Sequence, residues 1–426
     1  MTMSTSSIKW FRRLLLTAVY LLGIIGVLGS TGGFSDSDLE CFTVDYSPEC
    51  ADDPLPTTPP SIVIPSGGAA EGFDDTVTSI AAALDASDDV YVGGDFKIYK
   101  NSATNYIARL NNDGSLDTGF VTGTGFNGGV KIVAPANDAS GDVYVGGSFT
   151  SYNGAPVGYI SRLDLGGTLD TFFATGTGFD GDVNVITPAV DGLGDIYVGG
   201  AFTSYNGTSV GSGLIRINND GGLDPGFATG SGWGEDSIAP ATDGSGDVYV
   251  SSKASPGIAR LNSDGSIDAG FDTGPSGFND EVRAIAVAID GSGDVYVAGY
   301  FDSYNGSSNS GIVRLNSDGS LDTGFVTSGP FINEGDFITP AIDGSGDIYV
   351  GGNFVAGIVR LNADGTHDTG FETGPGQFGG FGNSPNSVAL AADGSSDIYV
   401  GGSFTRYNLI AAARIARLTA GGEFVR

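Results

Sequence analysis

Hydrophobic and polar positions recur along this chain in a unit of about fifty residues that is written seven times. The steps between successive units are 47 to 53 residues. A fixed period of this size indicates a propeller or a solenoid. The clearest line of the unit is Asp-(Val/Ile)-Tyr-Val, which begins at Asp89, Asp142, Asp195, Asp247, Asp294, Asp347 and Asp397.

Each unit predicts four short strands. An apolar run such as Val282–Ile289 leads through Asp-Gly-Ser-Gly-Asp into a second strand, Val-Tyr-Val-Gly-Gly-x-Phe. A Thr-Ser-Tyr-Asn-Gly loop and a third strand, Ile-Ala-Arg-Leu-Asn, follow. The turn Ser-Asp-Gly-Ser then precedes a short fourth strand, Leu-Asp-Thr-Gly-Phe. Four strands bounded by Gly, Asn and Asp in about fifty residues match one propeller blade.

Proline positions favour a closed ring over an open solenoid. Pro135, Pro188, Pro240 and Pro340 share one position in the first strand, and proline belongs on an edge strand because it cannot donate to a ladder. An open array also needs atypical capping repeats, which none of the seven units resembles. We predict an all-β, seven-bladed β-propeller of four-stranded blades over residues 61–426, with Ser61–Pro65 closing the last blade as its outer strand.

The longest recurring phrases resemble a known repeat. Val-Gly-Gly-x-Phe-Thr-Ser-Tyr-Asn-Gly, followed by Ile-Ala-Arg-Leu-Asn-x-Asp-Gly-Ser-Leu-Asp-x-x-Phe, is clearest at residues 143–173 and 295–325. These phrases are similar to the delta-60 repeat family of bacterial surface and secreted proteins, over about residues 71–426. The resemblance implies a propeller-like scaffold and carries no catalytic motif to this chain.

The first sixty residues predict export. In residues 1–33, Lys9, Arg12 and Arg13 precede an apolar run, Leu14–Leu28, and then small residues. This is the pattern of a signal peptide, with a retained membrane-anchor helix as the alternative. Residues 34–60 form an acidic, Pro-rich linker. It contains Cys41 and Cys50, which suit one disulfide in an oxidising compartment or remain two free thiols.

The balance of acidic and basic residues limits the classes of partner that the protein can bind. Lys plus Arg number 18 against 50 Asp plus Glu, a formal net charge of -32. Such a surface repels phosphate backbones, so we expect no nucleic acid partner, and contact with a membrane only through the N-terminal segment. The charge keeps a chain with 72 Gly soluble, and we expect a monomer whose surface attracts basic partners or divalent cations.

The repeated Asp-x-Ser-x-Asp turn, as at Asp290–Asp294, presents two carboxylates and a hydroxyl that suit calcium. The turn lacks the further oxygen ligands and the distal Glu of a full calcium loop. Local Asp-to-backbone hydrogen bonds explain it more simply. We therefore predict no cofactor and keep calcium as the alternative.

One repeat position holds arginine in every unit, and seven equivalent copies indicate structure over catalysis. We predict a same-blade ion pair, for example Arg314 with Asp322. The single histidine, His367, stands where other units have Leu or Ile, so we assign it no catalytic role. The seven arginines are Arg109, Arg162, Arg216, Arg260, Arg314, Arg360 and Arg417.

Irregular spacing indicates where a site lies. The distance from the leading Asp to the repeated Arg is 20 or 21 residues in five units but 13 in the fourth and sixth, which lack Tyr-Asn-Gly. In a propeller these loops share one side with the connections between blades, and loops on a rigid scaffold often carry function. Neutral loop drift is the alternative. The candidate binding residues are Trp233, Glu235, Asp236, Lys253, Asn279, Asp280, Glu281, Phe331, Glu334, Phe378 and Phe381.

We therefore predict an exported propeller that acts as a binding or surface-interaction module for a protein or glycan, without catalytic activity. One alternative is a carboxylate-based glycoside hydrolase or lyase at the channel mouth, which needs two carboxyls about 5–10 Å apart. The other alternative is a structural cell-envelope protein.

Overall fold

The computed structural model describes residues 72–425 apart from 212, 229–231, 235, 254, 310, 328–333 and 375–379. All of them belong to one compact unit, Ile64–Arg426. The predicted signal or anchor helix, the linker with Cys41 and Cys50, and the closing strand Ser61–Pro65 lie outside the described residues. Within the described part of the chain, no helix is long and apolar enough to cross a bilayer.

Seven three-stranded antiparallel sheets follow one another along the chain. The first strand of each sheet is called the inner strand, because it contacts the first strands of both neighbouring sheets. The predicted prolines end four of these strands. The inner strands are Val77–Ala82, Val130–Pro135, Val183–Pro188, Ile238–Pro240, Val282–Val287, Gly335–Pro340 and Pro385–Leu390.

The second or middle strand of every blade is fully buried along its length. Its apolar side chains face a neighbouring sheet on both sides, as the run of Val and Tyr predicts. The middle strands are Val90–Gly94, Val143–Gly147, Ile196–Gly200, Val248–Ser251, Val295–Gly299, Ile348–Gly352 and Ile398–Gly402. The third strands are Ile107–Leu110, Ile160–Leu163, Gly213–Ile217, Ile258–Leu261, Ile312–Leu315, Ile358–Leu361 and Ile415–Leu418.

The predicted fourth strand is much shorter than expected. In each blade it is a single bridge residue opposite the end of the third strand, as Leu321 is opposite Leu315. The next residue, Asp322, accepts a hydrogen bond from the N–H of Gly324 at 2.8 Å, so the chain turns away from the ladder. His367 fills the same bridge position opposite Leu361, as its alignment with the Leu and Ile of other units predicted.

A small hairpin lies between the middle and third strands of blades one, two, three, five and seven. The short loops of blades four and six carry no such hairpin among their described residues, as the spacing predicted. The hairpin pairs are Ile98–Tyr99 with Ser102–Ala103, Ser151–Tyr152 with Ala155–Pro156, Ser204–Tyr205 with Thr208–Ser209, Ser303–Tyr304 with Ser307–Ser308, and Arg406–Tyr407 with Ile410–Ala411.

The described sheets form a closed ring of seven blades. Seven apolar clusters fill the structure, and each joins two neighbouring blades. One of them joins blade seven, through Ala389 and Tyr399, to Val77 and Ile80 of blade one. The N–H of Ile80 also donates to Ser387 Oγ at 3.1 Å. The first blade therefore packs directly on the last.

Glycines of the middle strands allow this close packing. A Cβ added at Gly146 would lie 2.5 Å from Val183 of the next blade. At the junction of blades seven and one, a Cβ at Gly401 would lie 2.5 Å from Val77 Cγ1 and 2.7 Å from Ile80 Cδ1. These glycines have ordinary backbone angles, so the constraint is one of space between blades.

The repeated arginine forms a clamp with aspartates of its own blade. Arg314 lies 2.6 Å from Asp290, 2.9 Å from Asp294 and 3.6 Å from Asp322. The predicted pair with Asp322 is present, but the two turn aspartates are nearer. Burial raises the pKa of Asp290, and hydrogen bonds from Ser292 and Arg314 outweigh it and lower that pKa to about 2.

The clamp also links neighbouring blades. Arg109 Nη1 donates to the hydroxyl of Tyr91 at 3.3 Å, and this hydroxyl donates to the carbonyl of Gly141 in the next blade at 3.1 Å. The same pattern connects Arg162 and Tyr144 to Gly194. Each clamp therefore fixes a turn of its own blade and orients a hydrogen bond to its neighbour.

The turn oxygens predicted as calcium ligands take part in these bonds. Asp290 Oδ1 accepts from the N–H of Ser292 at 3.0 Å, and Asp290 Oδ2 accepts from Arg314. Ser292 Oγ accepts from the N–H of Asp294 at 3.1 Å. Among the residues described, no group of three His, Cys, Asp or Glu side chains is arranged to hold a metal ion. Calcium binding by these turns stays the alternative to the prediction of no cofactor.

We expect Gly401→Ala to lower the free energy of unfolding by about 1–3 kcal/mol, because the new methyl would overlap Val77 and Ile80 across the junction that closes the ring. Urea unfolding followed by intrinsic fluorescence measures the change. Gly421→Ala is the matched control in the same blade, since a Cβ there would have no neighbour nearer than 3.6 Å. Equal stability of the two variants would contradict the packing argument.

We expect Arg314→Ala to lower the free energy of unfolding by about 2–4 kcal/mol, because it leaves the buried carboxylate of Asp294 without its cation. Arg314→Lys should restore only part of the loss, since an ammonium cannot contact the turn aspartates as a planar fork does. Arg406→Ala removes an exposed hairpin arginine and should change stability by less than about 0.5 kcal/mol in the same urea assay. A small loss for Arg314→Ala would refute the clamp.

Candidate functional site

One position of the inner strand differs in chemistry from blade to blade. In each blade, the Val that follows Tyr in the middle strand pairs with one residue of the inner strand. The position meant here lies two residues before that partner, and it is half-buried in every blade. We call these seven residues the inner polar ring. They are Thr78, Lys131, Asn184, Asp236, Arg283, Asp336 and Asn386.

The inner polar ring lies on the side of the propeller where the connections between blades arrive, which we call the connection side. The opposite side, where inner and middle strands are joined by Asp-x-Ser-x-Asp, is the turn side. Inner polar ring residues reach the next blade: Asn386 Nδ2 donates to Val77 O at 3.3 Å, and Thr78 Oγ1 donates to Val130 O at 2.6 Å.

Arg283 stands at the centre of a charged cluster across blades four, five and six. Its Nη1 lies 3.7 Å from Asp236 and 3.6 Å from Glu281, and its Nε lies 3.7 Å from Asp336. Burial lowers the pKa of Arg283, but the nearby carboxylates outweigh it and raise that pKa. Lys253 approaches Asp236 at 3.7 Å. Three carboxylates from three blades therefore lie around one guanidinium, and Lys253 lies beside one of them.

Asp336 and Tyr300 continue the cluster into blade six. The Tyr300 hydroxyl donates to Asp336 Oδ1 at 3.1 Å, and the guanidinium of Arg283 lies 5.6 Å from the centre of the Tyr300 ring. Burial raises the pKa of Asp336, and the hydrogen bond from Tyr300 and the charge of Arg283 offset this only in part. Asn353 donates to Glu334 Oε2 at 3.0 Å beside them.

Arg283 differs from the clamp arginines in both geometry and exposure. Clamp contacts such as Arg314 to Asp290 are 2.6 Å long, whereas all three ion pairs of Arg283 are 3.6–3.7 Å. The Arg283 side chain is 34% exposed, against 10% for Arg314. Loose, partly exposed pairs contribute little to stability. Their groups can therefore reorient towards a ligand at low cost.

A second polar group occupies the ring at blades two and three. Lys131 Nζ donates to Asp182 Oδ2 and to Asn184 Oδ1, both at 2.8 Å. Ser148 Oγ donates to the same Asp182 oxygen at 2.9 Å. Burial raises the pKa of Asp182, but these hydrogen bonds outweigh it and lower that pKa. The hydrogen bonds of this group are 2.8–2.9 Å long, whereas the ion pairs around Arg283 are 3.6–3.7 Å long.

The cluster around Arg283 lies between the two blades that lack hairpins. The loop after the middle strand runs from Ser252 to Gly257 in blade four and from Asn353 to Gly357 in blade six, while blade five keeps its hairpin. The mixture of acceptors, donors and an exposed ring can hydrogen-bond and stack with a ligand. We call the set Asp236, Glu281, Arg283, Tyr300, Glu334, Asp336 and Asn353 the blade 4–6 cluster.

The structure brings four of the predicted site residues together: Asp236, Lys253, Glu281 and Glu334 lie in or beside the blade 4–6 cluster. Trp233 is half-buried against the apolar core between blades three and four. Glu235, Phe331 and Phe378 lie outside the described residues.

Three other predicted site residues have structural contacts. Asn279 Oδ1 accepts from the N–H groups of Asp302 and Ser303 and so holds the blade-five hairpin. Asp280 is exposed and accepts from the N–H of Glu281 at 2.8 Å. Phe381 is a correction: it is 2% exposed and packs on Phe404 and Tyr407 in the core, because it occupies the repeated Phe position before the inner strand.

Sequence reasoning missed Arg283, Tyr300, Asp336 and Asn353. It looked for irregular loop lengths, and these residues lie at positions of constant spacing within or next to strands. Reading one repeat position down all seven units would have found them. At the ring position the residue type changes between hydroxyl, cation, anion and amide, while the residue two places further along the strand is Ile or Val in every blade.

Comparison with known proteins identifies a family for this chain. A family profile described as a domain of unknown function (DUF5122) beta-propeller matches seven segments that cover more than half of the chain. The chain belongs to the DUF5122 β-propeller family. The matched segments are residues 87–120, 139–173, 194–227, 243–271, 291–325, 344–371 and 390–424, one in each blade.

Solved structures agree with this DUF5122 fold. The crystal structure of the WD40 beta propeller domain of Doa1 aligns with a TM-score of 0.51 and 18% identity, covering 78% of this chain and 91% of that one. At that identity the likeness shows the fold alone. The mitotic checkpoint complex (TM-score 0.48, 13% identity, 83% and 96% covered) and streptogramin B lyase (TM-score 0.45, 15% identity, 76% and 90% covered) also align. No curated protein sequence matches the chain.

The two kinds of arginine in this DUF5122 propeller should respond differently to the same change. We expect Arg283→Ala to lower the free energy of unfolding by no more than about 1 kcal/mol, because its ion pairs are long and partly exposed. Arg314→Ala is the comparison in the same urea assay. Similar losses for both would show that Arg283 is a further structural clamp and would remove it from the candidate site.

Proposed function

We propose that this chain is an exported β-propeller that binds an external ligand, a protein or a glycan, at the blade 4–6 cluster and does not transform it. The delta-60 repeats that the sequence resembles are, in this proposal, the same repeats that the DUF5122 family describes. Export rests on the charged and apolar pattern of residues 1–33, and an acidic extracytoplasmic surface agrees with the net charge of -32.

The observation that carries binding is the loss of repeat symmetry at one place. Every blade repeats its clamp arginine with two turn aspartates and the Tyr of its middle strand, because the ring needs them in each copy. The inner polar ring and the loops above it do not repeat. Two adjacent blades there place Arg283, Asp336 and Tyr300 in contact, and no other blade carries an arginine at the position of Arg283 or a tyrosine at the position of Tyr300. Polar groups that converge on a rigid scaffold are a common form of ligand site.

One observation favours the glycoside hydrolase alternative enough to test it. Burial raises the pKa of Asp336, and Asp236 contacts the same guanidinium at a different nitrogen. Two nearby carboxyls, one of them with a raised pKa, are the pairing that glycoside hydrolysis uses. The contacts of both carboxylates with Arg283 support binding over catalysis, because an acid or a base in turnover has to exchange its proton with the substrate.

The test compares full-length wild type with Arg283→Ala and Asp336→Asn on a panel of immobilised purified polysaccharides and envelope proteins. We expect at least one ligand that wild type retains and both variants lose. Asp95→Asn is the control, because Asp95 is an exposed carboxylate at the position in blade one that Tyr300 occupies in blade five. A ligand lost equally by the control would point to net charge and contradict the proposed site.

The same panel separates binding from hydrolysis. New reducing ends released from a retained polysaccharide by wild type, and not by Asp336→Asn, would replace the binding proposal with the glycoside hydrolase. Export is tested by expressing the full chain in a bacterial host and determining the N-terminus and the cell fraction of the product. Recovery of the protein only from the cytoplasm would contradict export.

A further inference from the structure

The two sides of the propeller differ in the character of their exposed large side chains. Near the Asp-x-Ser-x-Asp turns, the turn side exposes five aliphatic residues: Leu84, Val190, Leu193, Ile289 and Ile342, each more than half exposed. Among the described residues of the connection side, the exposed large hydrophobic residues are Tyr300, Val355 and Leu409. The connection side therefore offers polar groups with one isolated aromatic ring near the inner polar ring.

This composition argues against a protein partner at the blade 4–6 cluster. Stable protein interfaces bury on the order of 1,200–2,000 Å² and have an apolar core. Around the cluster, the described surface supplies Tyr300 and Val355 but no continuous apolar patch of that kind. A ligand that fits here is small in cross-section and polar on most of its edges.

The mixture of groups favours a ligand whose own groups both donate and accept. The blade 4–6 cluster combines carboxylate acceptors at Asp236 and Asp336, guanidinium donors at Arg283 and an amide at Asn353. Hydroxyls are the group that bonds to both kinds, because each carries one donor and two acceptor sites. The ring of Tyr300, 39% exposed, supplies an apolar plane beside them.

Charge argues against an anionic ligand. Three carboxylates lie within 3.7 Å of Arg283, so an anionic polymer would meet like charges before it reached the guanidinium. These carboxylates would attract a cationic ligand, whose affinity would depend strongly on salt. An uncharged polyhydroxyl ligand meets no repulsion, and the weak salt dependence of its binding distinguishes it from a cationic one.

We propose that the blade 4–6 cluster binds a neutral glycan built of hexose units, with one sugar ring on Tyr300 and its hydroxyls bonded to Asp336, Arg283 and Asn353. This assignment rests on the proposed binding function and names its ligand. The ligand lies across three blades at the inner polar ring, between blades four and six, whose described loops carry no hairpin.

The experiment is isothermal titration of the full-length protein with three neutral hexasaccharides (cellohexaose, maltohexaose and mannohexaose), a galacturonate oligomer and hexalysine. We expect one or more neutral probes to bind. Tyr300→Ala should weaken that binding about tenfold or more, and Tyr300→Phe should retain most of it because the aromatic plane remains. Raising the salt from about 50 mM to about 500 mM should change the affinity less than twofold, since no net charge is neutralised.

Asp95→Asn serves again as the control and should bind the neutral probe as wild type does. If hexalysine or the galacturonate oligomer binds instead, with loss in Tyr300→Ala and Asp336→Asn, the site stands and the glycan assignment is overturned. If a neutral probe binds equally to all variants, the cluster is not its site and the assignment fails. If neither the immobilised ligands nor the titration probes bind the cluster variants differently from wild type, both the glycan assignment and the proposed function are refuted.

Discussion

The burial of each sheet between two others is the constraint on which the rest of this structure depends. Every middle strand is apolar on both faces, and each of the seven clusters draws its residues from two neighbouring blades. A buried Val or Ile contributes about 1.5–3 kcal/mol, and no blade can gain this alone. The contact of Val77 and Ile80 with blade seven closes the sequence of interfaces, so no blade needs a polar cap.

This constraint decides which residues repeat. Close approach of the blades favours a small residue at the middle-strand position of Gly146, which is Ser251 in blade four and Ala298 in blade five. The orientation of each turn requires an arginine with its aspartates. A polar clamp in every blade is costly to bury but fixes one geometry, which a closed ring of seven blades needs. The clamp arginine is therefore present in all blades, whereas the half-buried residues of the inner polar ring differ from blade to blade.

Much of the fold could be predicted from the sequence because the period, the prolines and the turn residues act locally. The short length of the fourth strand could not be predicted. The Leu and Phe at the two ends of Leu-Asp-Thr-Gly-Phe suit a strand, although the residues between them form a turn. In the structure, Asp117 accepts from the N–H of Gly119 at 2.7 Å and approaches Arg109 at 3.4 Å, and these bonds pull the chain off the ladder after Leu116.

The candidate site was predicted in part for a related reason. Loop length indicated blades four and six, on either side of the candidate cluster, and selected Asp236 and Glu334, but it also selected Phe381, whose burial depends on the repeated Phe position and not on the length of the loop before it. Arg283 and Asp336 escaped notice because strands are expected to be structural. Only the register of the sheets shows that one half-buried position of each inner strand carries a polar side chain.

The junction of blades five and six shows how the ring accommodates this polar position. In blade six Gly335 replaces the Val of blades one, two, three and five, and Ala298 faces it where most middle strands have Gly, with an added Cβ at Gly335 only 2.8 Å from the Ala298 methyl. The same junction is crossed by Arg283 and Asp336. A loosely paired, half-buried charge at this junction adds little to stability, and natural proteins tend to retain such groups where a ligand provides the missing contacts.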